Sequence, residues 1–153
     1  MRQIECLLNE YGESHKNKTN IIIHAVAVPV IYFVTLALIW IIPTPTFLDY
    51  FDVTWAHILV MPTLYYYFRL SGPIGAAMTL LSVLSLYGIK LLESLDISVL
   101  QFSTVLFVVM WILQFIGHHI EGKKPSFLKD LQFLLVGPAW WWGHWLKRLH
   151  INY

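Results

Sequence analysis

Residues 21–42, IIIHAVAVPVIYFVTLALIWII, decide the fold. An apolar run of this length without a charged residue is enough, as a helix, to cross the roughly 30 Å hydrocarbon core of a bilayer. Helices satisfy every backbone polar group within the segment, as lipid requires. On its N-terminal side lies a polar link, residues 12–20. Before that, Ile4, Leu7, Leu8 and Tyr11 recur at the i, i+3, i+4, i+7 spacing of a short amphipathic helix. On its other side Pro43-Thr44-Pro45 ends the run, and a loop with Asp49 and Asp52 follows.

Three more apolar runs come next, 53–70, 74–92 and 99–116, separated by Ser71-Gly72-Pro73 and by a loop with Glu93 and Asp96. Pro62 is tolerated because membrane helices can re-satisfy the group a proline frees. Gly75, Ala76, Ala77, Ser82, Ser85 and Gly88 give the third run small surfaces for close packing. Beyond Gly117 the chain turns polar. A second amphipathic stretch, 126–136, is followed by a Gly137-Pro138 break and a Trp-rich end at 140–145. The expected architecture is all-α: one integral membrane domain over residues 1–153, a bundle of about four transmembrane helices (21–42, 53–70, 74–92, 99–116) with N- and C-terminal amphipathic helices.

Composition agrees. Of 153 residues 58% are hydrophobic and 12% charged, too little polar surface for a soluble globule. The net charge of +1, with no basic stripe, argues against nucleic acid as a partner and leaves the lipid bilayer. Cys6 stands alone and cannot form an internal disulfide. Glu5, Glu10 and Glu13 precede the first apolar run, so no removable signal peptide is expected. Lys16, Lys18, Arg69, Lys123, Lys124, Lys147 and Arg148 fall on the side of the termini; the opposite loops are acidic apart from Lys90. The positive-inside rule then makes both termini cytoplasmic, in a bacterial inner membrane or an endoplasmic reticulum.

An even number of crossings returns the chain to one face. His15 and His24, at the start of the first span, therefore meet His118 and His119, at the end of the fourth. His57 belongs to the opposite leaflet, and His144, among tryptophans, reads as interfacial. Ionisable side chains near hydrocarbon are functional candidates by default. Asn20 is one helical turn from His24, and Glu121 one turn from His118. Such a set offers neutral nitrogen ligands, a carboxylate that ligates or orients, and a supporting amide, which suits iron or zinc better than magnesium or calcium. His118 and His119 point about 100° apart on a helix, so spacing does not separate their roles. Glu121 is also a possible helix cap or counter-ion of Lys123 or Lys124. That lysine pair could hold a substrate carboxylate or a lipid phosphate, although positive-inside basic residues are expected there anyway.

Taken together, Tyr11-Gly12-x-x-His15, Asn20-x-x-x-His24-x-x-x-x-Pro29, Gln114-x-x-Gly117-His118-x-x-Glu121-x-x-x-Pro125 and Gly137-Pro138 resemble the Mpo1-like family over about residues 7–149. The resemblance implies an Fe(II)-dependent dioxygenase that uses dioxygen to shorten 2-hydroxy fatty acids by one carbon, a step of fatty acid α-oxidation. It carries metal-site roles to His15, His24, His118 and His119, with Asn20 and Glu121 as catalytic support; His57, His144 and His150 receive none. Two readings of other classes stand beside it: a haem-binding membrane electron carrier, which also uses paired histidines, and a non-catalytic lipid-binding membrane protein.

Overall fold

The computed structural model describes residues 3–12, 15–122, 127–148 and 150. Its helices are α1 (Gln3–Gly12), α2 (Lys18–Trp40), α3 (Thr46–Asp49), α4 (Trp55–Leu70), α5 (Gly72–Ser94), α6 (Val99–Glu121) and α7 (Phe127–Arg148). The described residues contain no strand. Three of the helices, α2, α5 and α6, are long and apolar enough to cross a membrane. The second apolar run gives α4 only 16 residues, about 24 Å at 1.5 Å per residue and short of the roughly 30 Å core.

Helix bounds depart from the sequence reading at three informative places. Asn17 accepts a hydrogen bond from Thr19 N at 2.9 Å and starts α2 within the polar link, so the helix begins before its apolar run. Helix α6 passes through Gly117 to Glu121 and stops where Gly122 adopts the left-handed conformation. Gly137-Pro138 is not a break, because α7 runs continuously through it. A proline removes one backbone donor, a loss that packing outweighs here: Val136 and Ala139 on either side are buried.

Two apolar cores set the alternation of directions. The ends of α2 and α5 and the starts of α4 and α6 share one core, of Leu36, Ala37, Trp40, Ala56, Val60, Ile89 and Val99. The end of α4 and the start of α5 share the other with α1 and α7, through Tyr67, Ile74, Met78, Ile4, Leu8, Val136 and Ala139. Helices α2, α4, α5 and α6 therefore run alternately up and down, with α1 and α7 packed together at the end where α2 begins. Tyr67, fully buried, donates from its hydroxyl to Leu135 O at 2.6 Å and ties α4 to α7.

At the far end, Trp40 Nε1 donates to Glu93 at 2.8 Å, and Lys90 Nζ lies 2.5 Å from Asp52. His57 is here too, its Nδ1 accepting from Thr54 N at 3.1 Å and its ring 5.1 Å from that of Trp40. The Lys90 ammonium, by hydrogen bond and by charge, holds the Asp52 carboxyl below the usual carboxylate range. A depressed folded-state value adds stability above the ordinary carboxylate range, and that stability is lost as pH falls through the lowered value. Because the pair is exposed, the effect is small. Asp52→Asn is expected to flatten the acid limb of thermal stability slightly, as measured by unfolding in detergent from pH 7 downward.

Candidate metal centre

The turn between α1 and α2 buries His15, and α2 carries His24 two turns inside its start, 1% exposed. His118 comes from the last turn of α6. The three rings form a triangle, with centroids 4.4 Å apart for His15–His24, 5.0 Å for His24–His118 and 5.9 Å for His15–His118. Their planes are steeply inclined, at 81°, 85° and 69°.

Two of the rings have a defined tautomer. His15 Nδ1 lies 2.8 Å from Tyr11 O, and His24 Nδ1 lies 3.0 Å from Asn20 O. A carbonyl only accepts, so each Nδ1 carries the proton and each Nε2 keeps its lone pair. An imidazole tethered through one nitrogen and open at the other is the usual arrangement of a metal-ligating histidine. Gln114 lies one turn before His118 on α6, beside the His24 ring.

Three imidazoles are a donor set of the kind that a transition-metal ion takes. Imidazole nitrogens about 2.0–2.1 Å from a cation put ring centres about 4.5–5.5 Å apart at the angles of four- to six-fold coordination. Of the three pairs only His24–His118 falls within that range, and among the described residues no three His, Cys, Asp or Glu side chains are grouped so as to hold a metal ion. A porphyrin between His15 and His118 has no room, because His24 touches both rings.

Close approach of α2 and α6 makes the triangle possible, and Gly117 makes the approach possible. A Cβ there would overlap Asn20 Oδ1 and stand 3.2 Å from His24 Cε1. Asn20 is itself fully buried, its Nδ2 donating to Glu121 Oε2 at 3.0 Å. The same carboxylate accepts from Lys16 N at 2.9 Å and from Asn17 N at 3.0 Å. Glu121 thus caps the amino end of α2 with the last residue of α6, where a negative charge also meets the positive end of the helix dipole. Four donor contacts occupy the carboxylate, which fits an orienting role better than ligation. Glu121→Gln is expected to cost about 1 kcal/mol of stability, read as a lower Tm, by replacing charge-assisted bonds with neutral ones.

The remaining candidates separate from this group. His119 is exposed, and no ring contact of the triangle involves it. His144 is exposed beside Trp140, with centroids 6.3 Å apart. Lys123 and Lys124 lie outside the described residues. Two aromatic residues to which the sequence reading gave no place in the site complete one wall. Tyr11 stacks on His15 at 4.1 Å and 11°, and Trp140 stands 5.4 Å from both rings. Gly137 admits the Tyr11 phenol, since a Cβ there would stand 3.3 Å from its oxygen. The signal for this wall was present in Tyr11-Gly12 and Gly137-Pro138, once α1 is known to pack on α7.

The family model described as 2-hydroxy-palmitic acid dioxygenase Mpo1-like matches residues 1–149. The chain belongs to the Mpo1-like family. That match takes in all three residues of the imidazole triangle, the Glu121 clasp and the aromatic wall from α1 and α7. No curated protein and no solved structure matches this Mpo1-like chain at a significant level.

Proposed function

We propose that this Mpo1-like protein is an Fe(II)-dependent dioxygenase of 2-hydroxy fatty acids, built on four membrane crossings with α4 as the short one and both termini cytoplasmic. The observation that carries the reading is the triangle of His15, His24 and His118, with two Nδ1 atoms tied to carbonyls. These three residues would hold the metal; His119 points elsewhere. Fe(II) bound there would supply the redox chemistry that couples dioxygen to cleavage of the C1–C2 bond. The overall change balances without a co-substrate: a 2-hydroxy acid and dioxygen give the acid one carbon shorter, carbon dioxide and water.

The chain's own groups do the positioning. Tyr11 O and Asn20 O hold the protons of His15 and His24 on Nδ1, which keeps both Nε2 atoms basic. Tyr11 and Trp140 keep water from the His15 side of the cluster. Glu121 locks α6 to α2 and so fixes His118 relative to His24. An acyl tail can remain among apolar side chains while its polar head reaches the imidazoles, each buried methylene contributing about 0.8 kcal/mol.

Metal analysis of anaerobically purified protein, joined to oxygen consumption with a 2-hydroxy fatty acid, tests the proposal. Iron near one equivalent and substrate-dependent uptake, with a product one carbon shorter, is the expected result. Zinc without uptake, or no stoichiometric metal, would overturn it and favour a structural or lipid-binding role.

A further inference from the structure

Helix α6 is the least enclosed of the three long apolar helices, with 11% of its apolar window buried against 39% for α2. It packs along α2 and touches α5 only lightly. Its two flanks nevertheless differ. On one, Val105, Val109, Ile112, Ile116 and Ile120 are 42–62% exposed, as lipid-facing residues are. On the other, Phe107, Trp111, Gln114 and His118 follow the i, i+4, i+7, i+11 spacing of a single stripe, and all four are half-buried.

This second flank is continuous with the imidazole triangle, since His118 belongs to both. Away from the histidines it becomes wholly apolar. Phe107 and Trp111 form a ladder with ring centroids 6.0 Å apart, which the exposed Phe115 ring extends at 5.9 Å from Trp111. Trp111 Nε1 is buried and has no acceptor among the described residues. The ring faces of Phe107 and Trp111 are the apolar surface that an alkyl chain can cover. From His118 to Phe107 the stripe runs about 16 Å, close to half the roughly 30 Å hydrocarbon thickness and hence to the reach of one leaflet's acyl chains.

We infer that the alkyl tail of the acyl substrate lies along this flank of α6, with Trp111 and Phe107 determining which chain lengths the site accepts. The inference rests on the dioxygenase reading for the head of the substrate. The tail lies against these half-buried side chains, carboxylate toward His118 and methyl end toward Phe107. Truncating Trp111 or Phe107 would clear room beyond the methyl end without touching the imidazoles.

A 2-hydroxy fatty acid of palmitic length carrying a diazirine near its methyl end, photolysed with the full chain in nanodiscs, tests the placement directly. Peptide mapping should find the label at Phe107 or Trp111. Label confined to the Ile112 and Ile116 flank, to α4, or to lipid would overturn the inference. In parallel, Trp111→Ala and Phe107→Ala should raise the rate on longer 2-hydroxy acids severalfold relative to shorter ones, with iron content unchanged. An unchanged chain-length profile would also overturn it. Absence of oxygen uptake by the unsubstituted protein on every chain length would instead sink the dioxygenase reading, and the photolabel would still report where an acyl tail binds.

Discussion

His24→Ala is expected to reduce bound iron from near one equivalent to a small fraction of it and to abolish substrate-dependent oxygen uptake. His24 occupies the middle of the triangle, in ring contact with both His15 and His118, so its loss leaves two donors on opposite sides of a gap. Removing even an outer-shell partner of a metal site costs about 10–100-fold in affinity or activity; loss of a ligand should exceed the upper end of that range. The matched control is His119→Ala, one residue beyond His118 and exposed. It should keep both iron and activity within a factor of about two of the parent, an exposed substitution being within about 0.5 kcal/mol. Metal content and oxygen uptake of the two variants, purified in parallel, check the pair. Equal loss in both, or none in either, would contradict the assignment.

Gly117→Leu should be nearly as damaging, although position 117 carries no ligand. Its Cβ alone would overlap Asn20 Oδ1 and crowd His24, both of them buried side chains of α2. Overpacking of this kind costs about 1–3 kcal/mol. Here the strain can be relieved only by moving α6 away from α2, which draws His118 from His24. The expected outcome is a lower Tm together with a fall in iron affinity of about ten- to a hundredfold, the same energy expressed at the site. Gly88→Ala provides the contrast, because its Cβ would meet the Phe33 ring at 3.2 Å, a side chain able to turn, far from the histidines. It should alter Tm slightly and iron binding not at all. Thermal unfolding and iron titration of both variants separate site distortion from general loss of packing.

Much of this was legible in the residue order. Apolar runs defined the long helices, and an alternating path through them put His15, His24 and His118 together while sending His57 to the other end. Adjacent histidines were not separable, because 118 and 119 differ by one step around the helix; only the partner that α6 faces decides between them. The length of α6 was hidden by Gly117, which reads as a terminator and acts as a point of close helix contact. Pro138 misled in the same way, since the packing on both sides of it outweighs its missing donor. Glu121 read as a ligand, an orienting group, a cap or a counter-ion, and the residue order did not choose among them because the amides at Lys16 and Asn17 that it caps are backbone groups that leave no trace in side-chain chemistry.

Iron K-edge X-ray absorption of the anaerobically reconstituted protein tests the central claim most directly. Convergence of His15, His24 and His118 on one ion predicts multiple-scattering features of about three imidazoles in the parent protein, losing one imidazole in His118→Ala and none in His119→Ala. An iron environment of oxygen donors without imidazole, or one that changes with His119 and not with His118, would contradict it.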